Sequence, residues 1–375
     1  MVIAVNATYW GNNQFQAQNY YAALIIQQIA LAQPEHQFIV LVNKGYNYPI
    51  EYANNVQFHS IKLSAKTSFP INLFQQISFP AIVKKYNPNL IIQANGFCSL
   101  FTQLPQMLVI NNNNLPQFAK QFNWLQQWIL RFFTPFSLKK ASKIITGSFN
   151  VFNELPIKYT FTQQRLQYIP GAAYTLDKPM QWEQKEQCKE QYSQGCEYFL
   201  LYVHQTTYND IIQVLKAFSQ FKKWHKSNMK LIISGTLPGS ESVFIQKLQS
   251  YKYRNDVVVL KNTSIYNSCL IASAYAVIVL KDHDGLALNS IESMQVGTPV
   301  IIADDADNSG AENAVIYADI NNPTTIAEYL QLLYKDEKYR QTYVIRGIEK
   351  AATFSWNKSA KAFWEEITKT VNLSY

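Results

Sequence analysis

Two carboxylates eight positions apart, Asp284 and Glu292, bracket a glycine turn and a helical stretch in the run Asp284-Gly-Leu-Ala-Leu-Asn-Ser-Ile-Glu292. The run continues Ser-Met-Gln-Val-Gly297-Thr-Pro-Val-Ile301, and the whole reads as strand end, turn, helix and next strand. Amide N–H groups at a helix N-terminus point outward and the helix dipole is positive there, which suits a phosphate. A carboxylate beside that terminus accepts hydrogen bonds from vicinal hydroxyls at charge-assisted strength. Together these features describe a pocket for a sugar nucleotide. Eight residues on one helix turn through about 800°, which leaves the two side chains roughly 80° apart. Asp284 is therefore placed in the turn, with Glu292 on the helix. Both have plainer readings, Asp284 as a helix N-cap and Glu292 as an exposed helix residue.

The segments around this run alternate. In the first half, short apolar stretches at 2–6, 38–42, 56–61, 90–92, 107–110 and 143–146 are separated by helical patterns such as 20–31 and 73–85. Ile169-Pro-Gly171 ends this half, and residues 172–196 turn polar, with little to bury. A second series follows, with strands at 198–203, 229–234, 257–260, 276–280 and 299–303 and helices near 211–224, 240–250 and 265–274. Ser355 is placed at the N-cap of a last helix rich in aromatic residues. The order predicts an α/β protein of two doubly wound, Rossmann-like units facing a cleft, with ligands at the carboxyl ends of the strands. The expected divisions are a domain over 1–172, a linker and surface helix over 173–196, a second domain over 197–353, and a C-terminal helix over 354–375 returning toward the first domain.

Composition narrows the class. A chain of 375 residues, 48% hydrophobic and 14% aromatic, is long enough for two cores and too apolar for disorder. The net charge of +8 and pI near 9.0 suggest attraction to an anion: a nucleotide, a membrane surface or nucleic acid. The basic residues are scattered rather than striped and no nucleic-acid motif is present, which argues against nucleic acid. Cysteines at 98, 188, 196 and 269 show neither metal spacing nor a dense disulfide pattern, so a reducing compartment is the simpler reading. Met1-Val-Ile-Ala-Val-Asn6 reads as a buried strand rather than a secretory leader, and no apolar run approaches the roughly 20 residues that span a bilayer. The expected location is the cytoplasm, with contact at the inner membrane surface as a further option.

With these motifs in place, the chain resembles the two-domain retaining glycosyltransferases of the GT-B fold, family 4 type, also described as glycosyl transferases group 1. The matching positions are Asp284, Gly285, Glu292 and Gly297 to Ile301, supported by Ala141-Ser-Lys-Ile-Ile-Thr-Gly-Ser148, Tyr168-Ile-Pro-Gly171 and Phe354-Ser-Trp356. The resemblance implies transfer of a sugar from a nucleoside-diphosphate sugar to a glycan or lipid-linked acceptor, in polysaccharide biosynthesis, with the donor held by the C-terminal domain. It implies Glu292 on the ribose hydroxyls, Asp284 as the catalytic acid near the donor sugar, and the amides of Gly285, Leu286 and Ala287 at the diphosphate. Neither a metal nor a cofactor is implied beyond the sugar nucleotide as co-substrate. Asp282-His-Asp284 also has the Asp-x-Asp form of metal-dependent transferases, but its strand-helix-strand setting belongs to the metal-free class. Asp304 to Asp307 reads as a solvated loop.

Other positions depart from that pattern. Relatives present an Arg and a Lys after the first strand of the C-terminal domain; here His204 and Asn209 stand in a segment with no permanent cation. A glycine-rich turn is replaced by Tyr9 to Gln16, and a His-Asp pair by Asn111 to Asn114, where Asn113 and Asn114 are the acceptor-side candidates. Asparagine can hydrogen-bond a sugar but cannot act as a base. The alternative function is thus a catalytically degenerate relative that binds a glycan or a partner subunit. Finally, Trp124 and Trp128 share a helix face in the aromatic and basic segment 118–140, which invites membrane contact. A buried helix explains the same pattern and is the reading adopted from sequence.

Overall fold

The computed structural model describes residues 1–8, 10, 16–44, 51–62, 74–94, 96–111, 124–173, 180–203, 207–235, 237, 241–260, 268–280, 288–303 and 310–372. These residues fall into two compact units, one built from 1–171 and 355–372, the other from 172–280 and 288–354.

The first unit is a seven-stranded parallel sheet in the order β3-β2-β1-β4-β5-β6-β7. Its strands are β1 (Val2–Ala7), β2 (Gln37–Asn43), β3 (Val56–Ile61), β4 (Leu90–Gln93), β5 (Gln106–Val109), β6 (Lys143–Thr146) and β7 (Leu166–Tyr168). The central strands are apolar almost throughout because both of their faces are covered, as parallel sheets require. Between β3 and β4 a π-helical turn, Phe74–Ser78, runs into the helix Phe79–Lys84. Pro80 falls at the start of that helix, where its missing N–H leaves no intrahelical bond unmade. The six strands expected from hydrophobic patterning are all present. β7 was missed, being three residues long with only Leu166 buried.

The C-terminal helix Trp356–Asn372 belongs to this unit, as expected. The backbone carbonyl of Ser355 accepts from Ser359 N–H, and the Ser359 hydroxyl donates to the carbonyl of Pro170 at 2.7 Å. Trp364 stacks on His36 with ring centroids 4.8 Å apart. Buried Glu366 pairs with Lys143 of β6 at 2.7 Å and with Lys369 at 2.8 Å. Burial pushes this carboxyl up, but the two ammonium groups outweigh burial and hold it below its ordinary range. A carboxylate whose pKa is depressed by folding stabilises above its unfolded pKa and loses that contribution as pH falls through the folded value. Glu366→Gln is therefore expected to lower stability at pH 7 by about 2 kcal/mol. The gap between urea-unfolding curves of the two proteins should narrow as pH falls below the ordinary glutamate range, about 4.3; a gap that does not narrow on acidification would remove the ion pair from the account.

The second unit is a six-stranded parallel sheet in the order β10-β9-β8-β11-β12-β13. Its strands are β8 (Tyr198–Val203), β9 (Lys230–Gly235), β10 (Val257–Leu260), β11 (Ala276–Leu280), β12 (Val300–Ala303) and β13 (Ile316–Ala318). The strand period of two divides β8 between two cores. Phe199, Leu201 and Val203 join the helices Tyr208–His225 and Pro323–Lys335 on one face. Tyr198, Leu200 and Tyr202 join Leu270, Ile271, Ile291 and Met294 on the other.

Helix Trp182–Ser193, expected to bury little, is seated more firmly than its composition suggests. Cys188 and Ser193 are buried, and Lys189 bridges Glu186 and Glu197. Cys188 is joined to Cys269 of the helix Ser268–Ser273 by a disulfide. That pairing spans 81 residues, so local cysteine spacing could not show it. No described helix is long and apolar enough to cross a membrane.

Candidate functional site

Strand order locates the site in the second unit. The chain leaves β8 on one side and β11 on the other of the point where the order reverses, and ligands of doubly wound sheets gather at the carboxyl ends there. Val279 is in register with Tyr202, so β8 and β11 end level with one another, at Val203 and Leu280. Gly235 closes β9 beside Val203, in register with it. Its φ of +124° is one that L-residues rarely adopt, and a Cβ there would stand 2.0 Å from the Val203 carbonyl oxygen. Only glycine lets these two strands end so close together.

Two helices start from this edge, and their N-termini differ. Helix Tyr208–His225 closes on itself with a capping box: Thr207 Oγ1 accepts from Asp210 N–H at 3.3 Å, and Asp210 Oδ2 accepts from Thr207 N–H at 3.2 Å. The Asp210 carboxylate thereby supplies negative charge to its own helix dipole and opposes an incoming anion. Asn209 lies in the same first turn and is exposed. Helix Leu288–Gln295 carries no acid in its first turn.

Glu292 sits on that second helix with none of its surface exposed, which overturns the reading of it as an exposed helix residue. The burial follows from how tightly the segment is held. Ile291 and Met294 enter the core beneath, while helix Glu337–Ala351 crosses above through Gly347, where an added Cβ would lie 3.3 Å from the Met294 side chain. Gly297, at φ +76°, ends the helix: its N–H bonds to the Met294 carbonyl at 3.1 Å, and Thr298 N–H to that of Ser293 at 2.9 Å, as in a Schellman cap. Thr298 Oγ1 then donates to the Ile271 carbonyl at 2.9 Å, the Pro299 carbonyl accepts from Val277 N–H, and Val300 pairs with Val277 as β12 begins. Each residue of Gly-Thr-Pro-Val thus fixes the helix that carries Glu292. A carboxylate is expensive to bury, so one enclosed this completely requires compensating partners.

Several candidates fall outside the described residues: Asp284, Gly285, Leu286, Ala287, His204, Asn113 and Asn114, with Asp282 and the 304–307 acids. Asn111 is described and has a structural duty. It is buried, and its Oδ1 accepts from Gly147 N–H at 2.7 Å, tying the ends of β5 and β6.

Sequence reasoning missed a chain of buried amides in the first unit, running from the carboxyl ends of β1 and β4 to the start of β5. Asn6 Nδ2 donates to Gln93 Oε1 at 2.8 Å, and Gln93 Nε2 donates to Gln106 Oε1 at 2.7 Å. Gln106 exchanges two further bonds with the backbone of Ser99. The signal was present, since β1 and β4 are apolar runs that each reach an amide residue at their carboxyl ends, and Asn6 and Gln93 are register partners.

Comparison with known proteins agrees with this architecture. Residues 183–350 match the family model of glycosyl transferases group 1. No curated protein sequence matches the chain. Among solved structures, sucrose-phosphate synthase from Thermosynechococcus elongatus is similar, with TM-score 0.72 at 16% identity over 98% of both chains. WaaG, a glycosyltransferase involved in lipopolysaccharide biosynthesis, has TM-score 0.74 at 14% identity, over 98% of this chain and 100% of its own. Anabaena HepE in complex with UDP-glucose has TM-score 0.68 at 13% identity, over 98% and 100%. Both sheets are therefore of the Rossmann-like type found in GT-B glycosyltransferases.

Proposed function

From the group 1 glycosyltransferase domain that residues 183–350 form, we propose that this protein moves a sugar from a nucleoside-diphosphate sugar to a glycan or lipid-linked acceptor. The observation that carries the proposal is Glu292, wholly buried on a helix that rises from the switch point of the second sheet. In this reading the Glu292 carboxylate accepts hydrogen bonds from the ribose hydroxyls. The diphosphate is held by the N-terminus of the helix Leu288–Gln295, with the amides of Gly285, Leu286 and Ala287, because the neighbouring N-terminus is taken by Asp210. Helix dipole and amides supply the positive potential, so no metal is required. His204 and Asn209 complete the donor side, and Asn113 and Asn114 face the acceptor.

Transfer is of the retaining, family 4 type. The bond from the anomeric carbon to the diphosphate oxygen breaks as the acceptor oxygen bonds that carbon on the same face, and the acceptor proton passes to the departing diphosphate. Asp284 stabilises the oxocarbenium-like charge between these events. The protein is placed in the cytoplasm, at the inner surface of the membrane.

A second reading, a catalytically degenerate subunit that binds a glycan or a partner, is favoured by one observation. The Thr207–Asp210 capping box puts a carboxylate, rather than a cation, at the helix following β8. Release of nucleoside diphosphate from a panel of UDP- and GDP-sugars separates the two. Turnover or slow donor hydrolysis with one of them is expected; binding without any release of diphosphate supports the degenerate reading.

A further inference from the structure

Helix Trp124–Lys140 of the first unit is not the buried helix that its aromatic content suggested. Trp124 is 78% exposed, Trp128 62%, Phe132 52% and Phe136 46%. Spaced by four, they form one ridge about 18 Å long. Their rings are already organised along it: Trp128 and Phe132 lie 5.8 Å apart and 7° from parallel, and Phe132 and Phe136 lie 5.2 Å apart. The buried positions Thr134, Ser137 and Leu138 anchor the opposite side, so the ridge is presented by a fixed helix. Arg131 and Lys139 are exposed within and beyond the ridge, and the helix contains no acid.

Charge identifies what this ridge meets. Residues 1–171 hold 12 Lys and Arg but only three acids, Glu35, Glu51 and Glu154, a net charge of +9 in a chain whose total is +8. All of the excess positive charge thus resides in the part of the chain that carries the ridge. A second copy would bring like charge to like charge, and a neutral glycan would gain nothing from it. An anionic bilayer satisfies both features, because Trp and Phe partition into the headgroup boundary while Lys and Arg meet lipid phosphates.

We propose that Trp124, Trp128, Phe132 and Phe136, with Arg131 and Lys139, form the surface by which this protein docks on an anionic lipid bilayer. This deepens the membrane location given above, and it is read without donor or turnover, so it stands or falls apart from the transfer reaction. The test is co-sedimentation of the full chain with vesicles of phosphatidylcholine and phosphatidylglycerol, and with phosphatidylcholine alone. The wild type is expected to sediment with the anionic vesicles at low salt, and about tenfold more weakly at 0.5 M salt. Trp128→Ala with Phe132→Ala should weaken that binding roughly tenfold, and Arg131→Glu with Lys139→Glu by a similar factor, with unchanged circular dichroism and melting. Equal sedimentation of wild type and both variants overturns the assignment of the surface. So does a wild type that stays in solution, or one that forms dimers lost in the aromatic variant, which would give the ridge to a second copy.

Discussion

Glu292→Gln is expected to weaken nucleotide-sugar binding by about 2–3 kcal/mol, roughly 30- to 150-fold in Kd. The amide keeps the shape of the carboxylate but loses the charge that makes its hydrogen bonds to vicinal hydroxyls strong. Titration calorimetry with UDP-sugars reads the affinity, and thermal melting of the same samples checks the fold. A large drop in melting temperature with unchanged affinity would make Glu292 a structural ion of the second core instead.

Gly235→Ala is expected to lower the stability of the second unit by about 3 kcal/mol. The new Cβ would lie 2.0 Å from a backbone carbonyl oxygen, which no rotamer change relieves, and φ +124° is strained for alanine as well. β8 and β9 must separate at their ends. Gly96→Ala is the control. Gly96 also has a positive φ, +82°, but an added Cβ there meets nothing within 4 Å, so only the backbone term of about 1 kcal/mol remains. Urea unfolding of the two variants should rank them in that order; equal losses would show that backbone strain alone, without the contact on Val203, sets the effect.

The sequence made much of this legible, for reasons that also explain its failures. Strands buried on both faces are continuous apolar runs, and β1, β2, β8 and β11 are read directly from them. The helix carrying Glu292 was legible because Gly297, Thr298 and Pro299 have fixed local duties, as cap, staple and strand entry. Its burial was not, since a short helix shows its second covered face only when a distant helix, here Glu337–Ala351 through Gly347, is laid across it. The ridge from Trp124 to Phe136 misled for the opposite reason. Aromatic spacing on a helix reports a face with something to bury, not whether protein or lipid covers it. The Cys188–Cys269 bond joins two helices brought together only by the tertiary fold, and the partnership of Asn6, Gln93 and Gln106 shows only once the strands are laid in order, although each amide is visible at the end of an apolar run.

The central claim, that the donor nucleotide is held at the switch point of the second sheet by Glu292, is tested most directly by a crystal structure of the protein soaked with a UDP-sugar. The account predicts ribose hydroxyls within hydrogen-bonding distance of the Glu292 carboxylate and the diphosphate at the N-terminus of the helix Leu288–Gln295. A nucleotide bound elsewhere with Glu292 untouched would contradict it.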